Sequence, residues 1–126
     1  MSFEIISTDK APAAIGPYSQ AVKVGNFVYT SGAIPVDPKS GEVVAGGVAQ
    51  QAEQAIRNLA AVLAGAGAGL DKVIKTTVFI KDMNDFAVIN EVYKKFFTSD
   101  FPARSCVEVA RLPKDVLIEI ECVAVI

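Results

Sequence analysis

The chain has 126 residues, 52% of them hydrophobic and 21% charged, with a formal net charge of −2 and no histidine. That length suits one domain with a real core, and the composition is globular rather than disordered. Without histidine, Ser–His and Cys–His nucleophile systems and ordinary catalytic zinc are excluded, and the mildly negative charge offers nucleic acid no general attraction.

The opening Met1-Ser2-Phe3-Glu4-Ile5-Ile6 has an early acid and no basic flank before an apolar segment. It does not read as a signal peptide, and a cytoplasmic protein is expected. Gly25-Asn26 separates Ala21–Val24 from Phe27–Thr30 and predicts a hairpin. Pro35, Asp37-Pro38 and Ser40-Gly41 mark a loop, with Glu42-Val43-Val44 as a short strand after it. From Val48 to about Ala66, apolar residues recur at Val48, Ala52, Ala55, Ile56, Leu59, Val62, Leu63 and Ala66. Those steps of three and four make one buried helical stripe. The Gly-Ala-Gly-Ala-Gly run over 65–69 follows this helix rather than opening one, so it reads as a glycine C-cap and not a phosphate cradle. The apolar stretch Leu59–Leu70, mostly Ala and Gly, is too short to span a bilayer.

Val73–Lys81 is rich in β-branched residues and predicts a strand. Asp82 or Asn84 can cap a second helix in which Phe86, Ile89, Tyr93, Phe96 and Phe97 line one face. Arg104–Arg111 and Val116–Val125 then read as two long strands joined by Leu112-Pro113-Lys114-Asp115. This order predicts a single α+β domain over residues 1–126, a mixed or antiparallel sheet with two helices packed on one face.

Treating the last two strands as a hairpin assigns faces by alternation. Val107 and Val109, with Ile118, Ile120, Cys122 and Ala124, are expected to meet the helices. Arg104, Cys106 and Glu108, with Leu117, Glu119, Glu121, Val123 and Val125, are expected on the other side. Two helices cannot cover both faces, and a partner subunit is the simplest cover for that half-apolar side, so a homo-oligomer is expected. Cys106 and Cys122 form neither a C-x-x-C pair nor a disulfide framework; Cys122 reads as a reduced, buried small hydrophobe.

Three features carry candidate chemistry. Arg104 opens a strand after Pro102-Ala103, and a planar guanidinium can hold a carboxylate through two parallel hydrogen bonds. Its plain alternative is a surface arginine paired with Glu121 or solvent. Glu119 sits between Ile118 and Ile120 and can act as a base towards water if partial burial raises its pKa; its plain alternative is an ordinary outward-facing strand residue. Ser31-Gly32, after a strand, offers a hydroxyl and an accessible amide, although such pairs are common in turns.

Ile15-Gly16-Pro17-Tyr18-Ser19-Gln20, Thr30-Ser31-Gly32, Asn84-Asp85-Phe86 with Ile89-Asn90, and Phe101-Pro102-Ala103-Arg104 occur in that order. Ala110-Arg111-Leu112-Pro113-Lys114, leading to Ile118-Glu119-Ile120-Glu121, completes the set. In order and spacing these blocks resemble the RidA (YjgF) family over essentially the whole chain, and within it the 2-iminobutanoate/2-iminopropanoate deaminase branch. The resemblance implies a chorismate-mutase-like α+β fold and a homotrimer with sites in the clefts between subunits. It implies hydrolysis of imines and enamines released by pyridoxal-phosphate-dependent dehydratases, with no cofactor or metal of its own. By the same resemblance Arg104 binds the substrate carboxylate and Glu119 positions or activates water, while Tyr18, Ser31, Gly32, Asn90 and Cys106 line the cleft. Ala33 departs from the glutamine that many relatives carry after the Ser-Gly pair. Two other roles compete: an endoribonuclease or translation inhibitor, as attributed to some members of that family, and a non-catalytic metabolite-binding regulator. The missing histidine and the scattered basic residues argue against the first; Glu119 alongside Arg104 argues against the second. Neither a membrane nor nucleic acid is an expected partner.

Overall fold

A computed structural model of the chain describes residues 2–126. In chain order it contains β1 (Glu4–Ile6), β2 (Ala21–Val24), β3 (Phe27–Thr30), α1 (Val48–Gly65), β4 (Val73–Ile80), α2 (Phe86–Phe96), β5 (Ala103–Glu108) and β6 (Ile118–Val125). The strands form one six-stranded sheet in the order β1-β2-β3-β6-β4-β5. Every neighbouring pair is antiparallel except β4 and β5, which run parallel. Parallel neighbours need a crossover, and α2 supplies it. This is the expected α+β architecture, one mixed sheet with both helices on the same face.

The apolar stripe of α1 buries Ala52, Ala55, Ile56, Leu59, Val62 and Leu63. It packs against Val28 of β3 and against Ile118, Ile120 and Ala124 of β6, while Val78 and Ile80 of β4 and Ile89 of α2 complete the same core. Each Val, Leu or Ile among them contributes roughly 1.5–3 kcal/mol when fully buried. The N-terminus of α1 has no side-chain oxygen at Gly47; instead the Gly47 amide donates to Gln50 Oε1 at 2.9 Å. At the other end Gly67 takes φ +78°. The Ala68 amide then donates to Leu63 O at 2.9 Å and the Gly67 amide to Ala64 O at 3.0 Å, the paired bonds of a Schellman motif. The glycine run is therefore a helix stop, as expected.

Asp82 caps the approach to α2, accepting the Asn84 amide at 2.9 Å. A single turn of 3₁₀ helix over Met83–Asp85 precedes α2 itself. Among the described residues, no helix is long and apolar enough to cross a membrane.

Three expectations need correction. Strand β1 was not foreseen; it is a three-residue edge whose Glu4–Ile6 pairs with Ala21–Lys23. Glu42–Val44 forms no strand, only an isolated bridge between Val43 and Val36. The largest difference concerns the last two strands, which are not a hairpin because β4 lies between them. Directly paired residues share a face, and Thr76, Val78 and Ile80 pair with Arg104, Cys106 and Glu108. Thr76, Val78 and Ile80 belong to the buried, helix-covered side. Arg104, Cys106 and Glu108 therefore lie on the helix side, and Val107, 43% exposed, lies on the other. The assignment for β6 stands: Ile118, Ile120, Cys122 and Ala124 are buried, and Glu119, Glu121 and Val123 pair on the open face with Phe79, Thr77 and Lys75.

Candidate functional site

The corrected faces split the candidate residues into two groups. The first gathers where α2 packs beside the edge strand β5. Residues 86, 90 and 93 fall on one helical face, being four and three apart. Asn90 accepts a hydrogen bond from Arg104 Nη1 at 2.7 Å. The guanidinium carbon lies 4.9 Å from the ring centre of Tyr93 and 5.3 Å from that of Phe86, within cation–π range of both. Arg104 is half-buried, yet no carboxylate among the described residues pairs with it. The suggested partner Glu121 is on the opposite face of the sheet. Cys106 follows Arg104 on the same side of β5; burial pushes its thiol up, and the arginine's charge opposes that shift.

The second group gathers at the end of β3. The Ser31 amide donates to Gln20 O at 2.9 Å and its hydroxyl to Ser19 O at 2.6 Å. Ala33 exchanges backbone hydrogen bonds with Ile120 at 2.7 and 3.1 Å, which brings the Ser31–Ala33 segment alongside β6. Gly32 lies against the side chain of Glu119: a Cβ at this glycine would stand 2.7 Å from the glutamate Cδ and 2.9 Å from Cγ. Only a residue without a side chain leaves the carboxylate where it is. Burial raises the Glu119 pKa, and the like charge of Glu121 raises it further. Both are the expected causes for a carboxylate poised as a base.

Beside this group lies a cavity of about 290 Å³, bounded by α1, the Ala11–Tyr18 segment and the loop from Ser31 to Gly41. Tyr18, Ser31 and Gly32 line it; Asn90, Arg104, Cys106 and Glu119 do not. Two buried amides hold its walls. Gln20 Oε1 accepts the Thr8 amide at 2.7 Å, and its Nε2 donates to Thr8 O at 3.0 Å and Pro12 O at 2.7 Å. Asn58 Nδ2 donates to Ile34 O at 2.9 Å and Val36 O at 2.8 Å. In the sequence Gln20 stands only as the end of the Ile15–Gln20 block, with no role, and Asn58 is unmarked, its one signal being an amide inside an apolar stripe. Cys122 is the inert residue expected of it, buried with its thiol pushed up to about 11. Among the described residues, no cluster of Cys, Asp and Glu could hold a metal ion.

Within one chain, then, Arg104 with Asn90 and Cys106 forms one group, and Glu119 lies against Gly32, which shares a cavity lining with Ser31 and Tyr18. The two charged groups occupy opposite faces of the sheet. Comparison with known proteins assigns the chain as a whole: the family described as Endoribonuclease L-PSP matches residues 8–126. The chain belongs to this family, the RidA (YjgF) family. It is 56% identical to a RutC family protein of Pyrococcus abyssi, over 98% of each chain. It is 59% identical to the 2-iminobutanoate/2-iminopropanoate deaminase of Escherichia coli K12, over 95% of each. The crystal structure of the Escherichia coli YjgF gene product superposes with a TM-score of 0.93 at 58% identity, covering 97% of this chain and 98% of that one. RidA-family membership thus rests on the full domain, with relatives that include named deaminases.

Proposed function

We propose that this chain hydrolyses 2-iminopropanoate and 2-iminobutanoate to the 2-keto acids and ammonia, in sites completed between copies of a homotrimer. The observation that carries the proposal is the unpaired, half-buried Arg104. A cation bound to a neutral amide and set against two aromatic rings, with no carboxylate of its own, is prepared for a carboxylate from outside. Named deaminases among the relatives supply the substrate class, and the cytoplasm is where we place the reaction.

Arg104 and Glu119 serve one substrate only if the Arg104 side of one copy meets the Glu119 side of the next. Such a head-to-tail contact uses two different surfaces and closes into a ring. Three copies then give three equivalent sites, and the half-apolar open face of the sheet gains cover in the same assembly.

The chemistry asks little of the protein. The carbon of a protonated imine is already electrophilic, and Arg104 fixes the neighbouring carboxylate so that this carbon meets a water held by Glu119. A lone pair of the water forms the new C–O bond as the C=N π pair moves onto nitrogen, and Glu119 accepts the proton that the water loses. Glu119 then returns this proton to the amino group of the carbinolamine. Re-forming the C=O bond expels ammonia and releases the hydroxyl proton, so that the net products are the keto acid and ammonium. An enamine must first gain a proton at C3 to reach the imine. No step calls for a metal or an organic cofactor, and pyridoxal-phosphate-dependent dehydratases are the reactions that generate such enamines.

The test couples a purified dehydratase to this protein and follows pyruvate from serine or 2-oxobutanoate from threonine. Faster keto-acid release than in buffer is expected for both. Release at the buffer rate, with folded protein, removes the enzyme reading.

A further inference from the structure

Resting on the reading of Arg104 as the carboxylate anchor, we propose that Phe86 and Tyr93 are positioning residues that set the affinity of that anchor by fixing its guanidinium. An arginine side chain has several rotatable bonds, and ordering them on ligand binding opposes affinity. Here much of that order exists beforehand. Asn90 Oδ1 takes one Nη1 hydrogen, and the rings of Phe86 and Tyr93 flank the cationic carbon at 5.3 and 4.9 Å. All three residues project from one face of α2, so a single helix sets the guanidinium's place and leaves its remaining donors for a ligand.

Tyr93 is itself held on two sides. Its hydroxyl shares a 2.9 Å hydrogen bond with Thr76 Oγ1, which is fully buried in β4. Its ring stacks on Phe97 with centroids 4.4 Å apart and planes inclined by 25°. Burial raises the pKa of its phenol, so the ring facing Arg104 is neutral and does not compete as an anion. Thr76 is also the direct cross-strand partner of Arg104, which ties the backbone of the anchor to the residue that fixes its aromatic neighbour. Core packing alone does not account for Phe86, which is only half-buried and whose ring lies against the charge.

The test measures 2-oxobutanoate binding by calorimetry and imine hydrolysis in the coupled assay. Phe86→Leu keeps apolar bulk and removes the ring; Kd and KM should rise about three- to tenfold while kcat changes little, in line with one cation–π contact. Phe86→Tyr, which restores a ring, should recover most of the lost affinity. Tyr93→Leu should weaken binding at least as much, and Phe86→Leu carries the test should that buried exchange cost the fold. In an Arg104→Ala background Phe86→Leu should add nothing, since its effect passes through the guanidinium. Unchanged binding in Phe86→Leu, or an equal loss with and without Arg104, overturns the positioning role. Normal binding by Arg104→Ala alone overturns the anchor reading instead, so the two failures are distinguishable.

Discussion

The two faces of the sheet treat charge in opposite ways. On the helix-covered face the central strands present a buried, mostly apolar core, and Arg104 at its margin is accommodated locally by Asn90 and two rings. On the open face Glu119 and Glu121 stand among Phe27, Tyr29, Phe79, Val123 and Val125, with Phe27 and Tyr29 43% and 46% exposed. There no basic side chain pairs with Glu119 among the described residues, and burial together with a like charge raises its pKa. One face is a finished core with a prepared binding cation at its edge. The other is a half-apolar open surface holding a carboxylate of raised pKa, which the proposed function completes against a second copy.

The largest expected effect comes from breaking the finished side. Arg104→Ala removes a charge-assisted contact worth about 1.5–3 kcal/mol, so kcat/KM should fall roughly tenfold to more than a hundredfold. Arg104→Lys should recover part of this, because the charge returns without the planar fork. Calorimetry with 2-oxobutanoate and the coupled assay measure both variants.

A smaller effect tests how the base is seated on the other side. Gly32→Ala brings a Cβ against Glu119 with no positive φ to forbid it, so the chain should fold while the carboxylate is displaced. The expected result is a fall in kcat of about tenfold or more, as when a positioned base is lost, with 2-oxobutanoate affinity nearly kept. Equal losses in binding and turnover would place Gly32 in the carboxylate-binding half instead.

The smallest effect concerns the pair of acids. The base assigned to Glu119 in the proposed function works only while ionised, so activity should fall as pH drops through its raised pKa. Removing the like charge with Glu121→Gln lowers that pKa. The acidic limb of the kcat profile should therefore move to lower pH, with the plateau little changed. A limb that stays in place, or moves upward, would show that Glu119 is not the titrating group.

The sequence revealed the elements more readily than their neighbours. The stripe from Val48 to about Ala66 and the glycine stop over 65–69 were legible because helix periodicity and C-cap chemistry are local. The side occupied by Arg104 was not, because two adjacent-looking strands, β5 and β6, invited a hairpin. The insertion of β4 between them is a long-range event that leaves no local mark. Alternation placed Glu119 correctly, since it depends only on its own strand. Phe86 and Tyr93 were legible as a helix face but not as neighbours of the arginine, because that contact depends on the parallel pairing of β4 with β5. Both site groups could be named by family resemblance, yet their separation onto opposite faces appears only with the fold.

The central claim is that one functional site takes Arg104 from one copy and Glu119 from another. Co-refolding equal amounts of Arg104→Ala and Glu119→Gln chains, each expected to be strongly impaired alone, measures it directly. In a ring with head-to-tail sites, a random mixture gives about a quarter of its junctions an intact arginine and an intact glutamate. Recovery of about a quarter of the parent activity in the coupled assay is expected. Activity that stays at the sum of the two separate variants would contradict it, and would return both residues to a site within a single chain.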